Sequence, residues 1–352
     1  MDSKVFANQL INWYKLNLRE LPWRKTSDPY CIWLSEIILQ QTRVAQGLPY
    51  YERFIEHFPT VFDLANASET EVLRLWQGLG YYSRARNLHA CAKTVVADYE
   101  GVFPSAFNEL LKLKGIGRYT AAAIASFAFH QPNAVVDGNV YRVLSRVFGI
   151  EEDISSTKGP KVFEAKANEL LDPERSHLYN QAIMEFGAIQ CTPKSPACGL
   201  CPFSAECFAY NTNRIADFPV KTKKTKVRKR HFTYLVFQNE DQIWMKERGN
   251  GDVWQGLFDF HLIEGAENLN QETVISELFE KGIKSSVIGE ESKLYEHVLT
   301  HQRIFANFVK IELKKADMLH FAKAYPQLKK YSLEHIDQLP KPVLISKYLE
   351  DQ

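Results

Sequence analysis

The 352-residue chain has no apolar run near the roughly 18 residues a membrane-spanning helix needs. Its first residues, MDSKVFANQLINWYK, lack the basic start, apolar centre and small-residue cleavage site of a secretory leader. A cytoplasmic location with no membrane attachment is therefore expected. An excess of one charge is also missing: 43 Lys+Arg stand against 42 Asp+Glu, a net charge of +1. Taken alone, that balance argues against a nucleic-acid binder, which usually carries a positive surplus. Internal repeats are absent too. What is present suits a packed core, with 45% hydrophobic and 24% charged residues, and wholesale disorder is excluded. The length predicts two or three domains.

The near-zero charge is a cancellation. Residues 1–216 are balanced at 22 basic and 22 acidic side chains. Residues 217–231 carry seven basic and one acidic, whereas 232–352 carry 14 basic and 19 acidic. The pattern changes at the same places. Phe6, Leu10, Trp13 and Tyr14 recur at helical spacing, as do Ile32, Leu34, Ile37 and Ile38, and the run from Thr120 to Phe129. Beyond 231 the period becomes two, at Phe232, Tyr234 and Val236, at Ile243 and Met245, and again over 297–313, with helices expected over 271–282 and 317–324. The expected layout is an all-α region over 1–216, a basic linker over 217–231 and an α+β domain over 232–352.

Six cysteines are present. Cys31 and Cys91 sit in apolar helical stretches and read as buried thiols. Cys191, Cys198, Cys201 and Cys207 form a C-x6-C-x2-C-x5-C array. Without a secretion signal, disulfides are not expected. Four thiolates in one loop suit either a tetrahedral zinc or a [4Fe–4S] cluster; only one of the two C-x2-C knuckles of a zinc ribbon is there.

Leu111–Thr120 (LKLKGIGRYT) joins two helical patterns through Gly115-Ile116-Gly117. Such a turn, followed by a helix N-terminus, offers N–H groups to an anion. Lys112, Lys114 and Arg118 beside it favour a DNA phosphate over an ordinary helix–helix turn. The carbonyls of Leu111, Leu113 and Ile116 could also hold a monovalent or divalent cation bridging to that phosphate. Two carboxylates draw notice. Asp137, in Val135-Val136-Asp137-Gly138-Asn139, is either a helix N-cap or an anion at the mouth of a cleft. Glu36, in Trp33-Leu34-Ser35-Glu36-Ile37-Ile38, is either at the wet edge of its helix or in a poorly solvated pocket, where desolvation makes a general acid near neutral pH.

Together these motifs resemble the helix-hairpin-helix DNA glycosylases, and most of all the adenine DNA glycosylase (MutY) family. The resemblance rests on Leu-Pro-Trp-Arg at 21–24, Trp-Leu-Ser-Glu-Ile-Ile-Leu-Gln-Gln-Thr at 33–42 and Gly-Leu-Gly-Tyr-Tyr-Ser-Arg-Ala-Arg-Asn-Leu at 78–88. The hairpin, Val-Asp-Gly-Asn-Val at 136–140 and the cysteine array complete it. It covers nearly the whole chain and is strongest over 19–210. It implies a six-helix barrel module over about 20–130, and an iron–sulfur module from the N-terminal helix and about 131–216, with Cys191, Cys198, Cys201 and Cys207 on a [4Fe–4S] cluster. It also implies a monomer that acts on duplex DNA, in the bacterial cytoplasm at the nucleoid, or in the nucleus if the source is eukaryotic. The implied reaction is removal of adenine opposite 8-oxoguanine or guanine, after the base is flipped out. On this reading Glu36 protonates the adenine, Asp137 stabilises the sugar cation, and Asn139 supports it. Trp23, Arg24 and Gln181 line the adenine pocket. Gln41, Thr42, Leu79 and Tyr81 enter the duplex, while Gly115, Gly117, Arg118 and Lys194 meet phosphate. Bifunctional relatives place a Schiff-base lysine where this chain has Tyr119. The phenol implies a glycosylase that does not cut the strand, with Tyr119 assisting at the sugar.

Residues 251–260 (GDVWQGLFDF) resemble a Nudix-like strand and loop, so the C-terminal domain is expected to be Nudix-like. The stretch from Gly265 to Gly282 lacks the Arg-Glu-x-x-Glu-Glu core of a Nudix box, so no Mg-dependent Nudix activity is expected. Leu299, Thr300 and His301 stand where the family has a Phe-Ser-His loop that reads 8-oxoguanine; the hydroxyl and imidazole persist, whereas the aromatic does not.

Overall fold

The computed structural model describes residues 1–223 and 226–352. Lys224 and Thr225, inside the basic linker, lie outside the described residues. The chain forms two compact units. The first takes in Met1–Asn66 and continues from Asn87 to the linker; the second joins Ala67–Arg86 to the chain beyond the linker. No helix among the described residues is long and apolar enough to cross a membrane.

The first unit is helical. It holds α1 (Ser3–Asn17), α2 (Pro29–Leu39), α3 (Val44–His57) and α4 (Val61–Asn66), while α5 (Glu69–Trp76) lies in the second unit and α6 (Ser83–Tyr99) starts there. The first unit then continues through α7 (Phe107–Leu110), α8 (Arg118–Phe129), α9 (Gly138–Phe148), α10 (Gly159–Leu170), α11 (Ser176–Glu185) and α12 (Phe208–Asn211). Local chemistry fixes the starts. Asp2 accepts from the Lys4 and Val5 amides at α1, Asp28 caps α2 ahead of Pro29, and Asp137 caps α9. α1 buries Phe6, Leu10, Ile11 and Tyr14, a stripe of helical period, against Val143 and Leu144 of α9 and Tyr179 and Ile183 of α11. α2 is buried on nearly every face, Ser35 and Glu36 included. It packs on the alanine-rich α8, whose short side chains allow close approach.

The second unit carries a mixed sheet built from β1 (Arg228–Asn239), β2 (Gln242–Glu247), β3 (Phe258–Asp259), β4 (His261–Gly265), β5 (Val287–Glu291), β6 (Tyr295–Val298), β7 (Gln302–Glu312) and β8 (Lys329–Ser332). The order is β3-β2-β1-β7-β5, with β4 on β1, β6 on β7 and β8 on β2. β1 and β7 run parallel in unbroken register from Arg228↔Gln302 to Gln238↔Glu312. Strand β1 therefore begins inside the basic segment read as linker, because its backbone is paired from Arg228 on. Four helices complete the unit: α13 (Gln271–Glu280), α14 (Met318–Ala324), α15 (Leu333–Gln338) and α16 (Val343–Glu350). The core under α13 and α14 contains Leu235, Phe237, Val274, Leu278, Val309 and Phe321.

Residues 67–86 fall within the expected all-α region by sequence, yet they pack with this second unit. Arg86 Nη1 donates to the Gln255 carbonyl at 2.7 Å, and the Lys341 amide donates to Gln77 Oε1 at 3.1 Å. Gln77 Nε2 donates to Ser346 Oγ at 3.2 Å.

Candidate active site

In the first unit, the second residue of α8, Tyr119, reaches Glu36 near the C-terminal end of α2. Its hydroxyl donates to Glu36 Oε2 at 2.6 Å. Glu36 is only 7% exposed. Burial pushes its carboxyl up to about 7; the Tyr119 hydrogen bond and Arg24 oppose that rise, and nearby Asp137 adds to it. Asp137 is half-buried. Its Oδ1 accepts from the Asn139 and Val140 amides at 2.9 and 2.8 Å, and its Oδ2 accepts from Asn139 Nδ2 at 2.7 Å. Burial raises the Asp137 carboxyl, and these donors hold it back. It is an N-cap and a cavity residue together: the cap bonds use one oxygen and fix the direction of the other.

Glu36, Tyr119, Asp137, Asn139, Trp23, Arg24 and Gln181 all line one cavity of about 180 Å³. It also takes in Thr42, Met184 and Glu185. Trp23 is held edge-on against Tyr51, with centroids 5.1 Å apart. Arg24 donates to Glu185 Oε2 at 2.7 Å and to the Arg19 carbonyl at 3.1 Å. Behind the site, Arg142 Nη2 donates to Asn139 Oδ1 at 2.9 Å while its Nε donates to the Cys191 carbonyl at 2.7 Å. A continuous chain of hydrogen bonds thus runs from Asp137 to the cysteine loop.

The four cysteines of the array carry free thiols and line one small cavity with Arg146, Phe186 and Ile215. Two sulfurs already take N–H donors: Cys201 Sγ from the Phe203 amide at 3.4 Å, and Cys191 Sγ from Arg146 Nη1 at 3.6 Å. Burial pushes the Cys201 thiol up to about 11, so thiolates there require a positive partner. Among the described residues, no three His, Cys, Asp or Glu side chains are gathered as a metal site. The four cysteines fit a thiolate-ligated metal group in kind and number. Of the other two cysteines, Cys91 is buried as expected, whereas Cys31 is only partly so and donates to Asp28 Oδ2 at 3.6 Å.

The hairpin leads into α8. Gly115 requires glycine: its φ is +81°, and a Cβ would lie 2.8 Å from that of Asn87. Gly117 does not share the positive φ; it is the extended N-cap of α8, with nothing within 4 Å of an added Cβ, so its face is open. The Leu113 carbonyl accepts from the Ile116 amide at 3.1 Å. Leu111 and Ile116 flank it in the same turn. Arg118 is exposed and paired with Glu164, and Lys112 with Glu109. Lys194 is exposed on the cysteine loop. Gln41, after α2, has a φ of +55°, and Thr42 follows it at the cavity.

Leu79 and Tyr81 lie in the second unit, where they share a cavity of about 510 Å³ with Trp254, His297, Leu299, Thr300 and His301. Tyr81 has a φ of +48°, is 40% exposed, and is hydrogen-bonded through its hydroxyl to that of Thr300. Tyr82 is core, 6% exposed. Arg84 is buried: it donates to the Leu79 and Gly80 carbonyls at 3.3 Å and lies over Trp76. The 299–301 turn is closed by the Leu299 amide donating to the Gln302 carbonyl at 2.7 Å.

Comparison with known proteins agrees with this architecture. Residues 34–173 match the HhH-GPD superfamily of base excision DNA repair proteins, and 233–351 match the NUDIX domain. An adenine DNA glycosylase of Buchnera aphidicola (subsp. Schizaphis graminum) is 34% identical over 97% of this chain and 98% of its own length. The chain belongs to the adenine DNA glycosylase family. The human family member is 46% identical over 58% of this chain and 39% of its own. A solved thermostable thymine-DNA glycosylase is 30% identical, with a TM-score of 0.56 over 60% of this chain and 97% of its own. An endonuclease III–DNA complex, at 23% identity and a TM-score of 0.52 over 60% and 98%, shares the fold. The protein is thus a DNA glycosylase, a hydrolase of base excision repair, with a helical helix-hairpin-helix part and a Nudix-like part.

Three residues of this family member stand at the two cavities without having been singled out from sequence. Glu185, in Ile-Met-Glu-Phe-Gly, is an acid in an apolar helical run, the same signal that exposed Glu36. Burial raises its carboxyl, but hydrogen bonds from Arg19 and Arg24 outweigh that and take it down to about 2. Trp254 sits at a φ of +64°, uncommon for a bulky residue, with its loop held by Asp252, which bridges Arg230 and Arg248. His297 meets Trp254 edge-on at 5.4 Å. Trp254 lies in the 251–260 stretch read as Nudix-like, but nothing local marks it or His297 for this cavity.

Proposed function

We propose that the protein removes adenine from duplex DNA where it stands opposite 8-oxoguanine or guanine, by hydrolysis of the N-glycosidic bond and without strand cleavage. The observation that carries this is the pairing, on one cavity, of a buried carboxyl raised to about 7 with a second carboxyl held by three donors. Glycosidic cleavage needs a proton for the departing base and a negative partner for the oxocarbenium-like sugar. Glu36, with its carboxyl near 7, supplies the first; adenine N7 is the ring nitrogen it protonates. Asp137, oriented by Asn139 and the α9 amides, supplies the second. The same functional group takes opposite roles because Glu36 accepts one hydrogen bond and Asp137 three. Tyr119 has no amine for a Schiff base, and burial keeps its phenol neutral.

Flipping the adenine out leaves a gap opposite the orphan base. Gln41, Thr42, Leu79 and Tyr81 are the wedge on this reading, Gly115, Gly117, Arg118 and Lys194 the phosphate contacts, and Leu111, Leu113 and Ile116 the carbonyls for a bridging cation. Leu299, Thr300 and His301 are the readers of 8-oxoguanine. The four thiolates of 191–207 are proposed to hold a [4Fe–4S] cluster, which when bound cross-links that loop. The protein is expected to act as a monomer in the cytoplasm, or in the nucleus of a eukaryote.

The test is base release from duplexes carrying A opposite 8-oxoguanine, A opposite G and T opposite G. Adenine release that is lost in Glu36→Gln and Asp137→Asn supports the assignment. Normal rates in both variants overturn the two-carboxylate roles, and thymine release in place of adenine overturns the substrate.

A further inference from the structure

Tyr14 belongs to α1, far in sequence from the catalytic motifs, and does not itself line the 180 Å³ cavity. Its hydroxyl donates to Gln181 Oε1 at 2.7 Å. Tyr14 is 4% exposed, with Arg24 5.7 Å above its ring. A phenol is a better donor than acceptor, and a cation over the ring strengthens that bias. The Gln181 carbonyl is therefore taken by Tyr14, and the amide's NH₂ arm is the polar end offered to the cavity.

The carboxylates around this cavity already accept hydrogen bonds. Glu185 Oε1 takes the Arg19 amide and Nε at 3.0 and 2.7 Å, and its Oε2 takes Arg19 and Arg24, both at 2.7 Å. Asp137 accepts three donors from Asn139 and Val140. Glu36 Oε2 takes Tyr119. The wall thus presents donors: the Gln181 NH₂, the Arg24 guanidinium and the Glu36 acid proton. Adenine carries ring nitrogens that accept and no ring N–H. At N1, adenine accepts whereas hypoxanthine and guanine carry an N–H, which an amide donor set against N1 leaves unpaired at a cost.

We propose that Tyr14 is a positioning residue that locks the Gln181 amide with its NH₂ toward the base, and that this lock selects adenine over purines bearing an N1–H. The inference rests on the reading that this cavity receives adenine. Without the phenol hydroxyl the amide is free to turn, offering its carbonyl to N1–H and losing its donor to adenine.

The experiment measures single-turnover release of adenine and of hypoxanthine from otherwise identical duplexes. It uses wild type, Tyr14→Phe, Gln181→Leu and the double variant, with duplex affinity recorded alongside. Tyr14→Phe is expected to slow adenine release about tenfold, the scale of one misdirected hydrogen bond, and to lower the adenine-to-hypoxanthine ratio. Duplex affinity, set by phosphate contacts, should not change. In the Gln181→Leu background, Tyr14→Phe should cost nothing further, because it acts only through the amide. An unchanged ratio overturns the proposal. So does an equal loss in the Gln181→Leu background, which marks Tyr14 as merely structural. If wild type releases no adenine, the functional reading itself falls and takes this inference with it.

Discussion

The Tyr119 hydroxyl donates to Glu36 Oε2 at 2.6 Å, tying the first turn of α8 to the buried acid of α2. A bond to the carboxylate favours its charged form, so Tyr119 holds Glu36 below the value that burial alone would set. Tyr119→Phe should therefore move the alkaline limb of the rate profile to higher pH while adenine release persists. Single-turnover rates between about pH 5 and 9 check this, a window chosen to bracket an acid near neutrality. A limb that moves to lower pH would contradict the role given to the bond.

Glu36 itself links catalysis to stability. Its folded value near 7 lies above the ordinary 4.5. The folded state thus binds more protons than the unfolded chain between these values. The stability contribution is fully present below about 4.5 and is lost as pH rises through about 7. Glu36→Gln removes the ionisation, so at pH 8 the variant should melt a few degrees above wild type, while at pH 4 the two should nearly coincide. Release should fall by about a hundredfold or more, the scale of general acid catalysis. A variant less stable than wild type at pH 8 would refute the desolvated carboxylate.

Glu185 has the opposite sign. Its depressed carboxyl, near 2, contributes stability above the ordinary 4.5 that is lost as pH falls toward 2. Its side chain is fully buried against Arg19 and Arg24. Glu185→Gln should cost about 3 kcal/mol, since it strands the largely buried Arg24; Arg19, 39% exposed, is screened by solvent and adds little. Urea unfolding at pH 7 measures the loss. A cost below about 1 kcal/mol would show that Arg24 finds water or another partner.

Much of this site is legible in the residues themselves. Glu36 is conspicuous because a charge interrupts Trp33–Leu39, and Asp137 because a capping residue follows two valines. The cysteine spacing speaks through ligand chemistry. The missing parts are non-local. Tyr14 meets Gln181 and Glu185 meets Arg19 only because α1 and the segment after it pack against α11, and nothing within any one segment encodes that. The allegiance of 67–86 is hidden for the same reason: α5 has an ordinary capping box at Ser68 and Glu71, while its partners lie past residue 250. The burial of Arg84 is hidden likewise: laid over Trp76, it is held by carbonyls and by the aromatic face.

The cysteine loop gives a metal prediction. Purified protein should be brown, with broad absorbance near about 400 nm, and Cys198→Ser should lose both colour and iron. A colourless protein with one equivalent of zinc would replace the cluster with a single ion.

The cavity of the second unit predicts where discrimination resides. Thr300 is hydrogen-bonded to Tyr81, and both line a space closed by Trp254 and His297. If Thr300 reads the orphan base, Thr300→Val should leave release from A opposite G within about twofold while slowing A opposite 8-oxoguanine about fivefold to tenfold, the worth of one hydrogen bond to a base edge. Leu299→Phe should act differently. It adds an aromatic face to the same turn and should tighten binding to both duplexes through stacking, about threefold to tenfold, with little change in their ratio. Fluorescence anisotropy under a non-cleaving Glu36→Gln background separates binding from chemistry. An equal loss on both duplexes for Thr300→Val would assign the hydroxyl to holding Tyr81 at its positive φ, and lesion reading would pass to His301 and its neighbours.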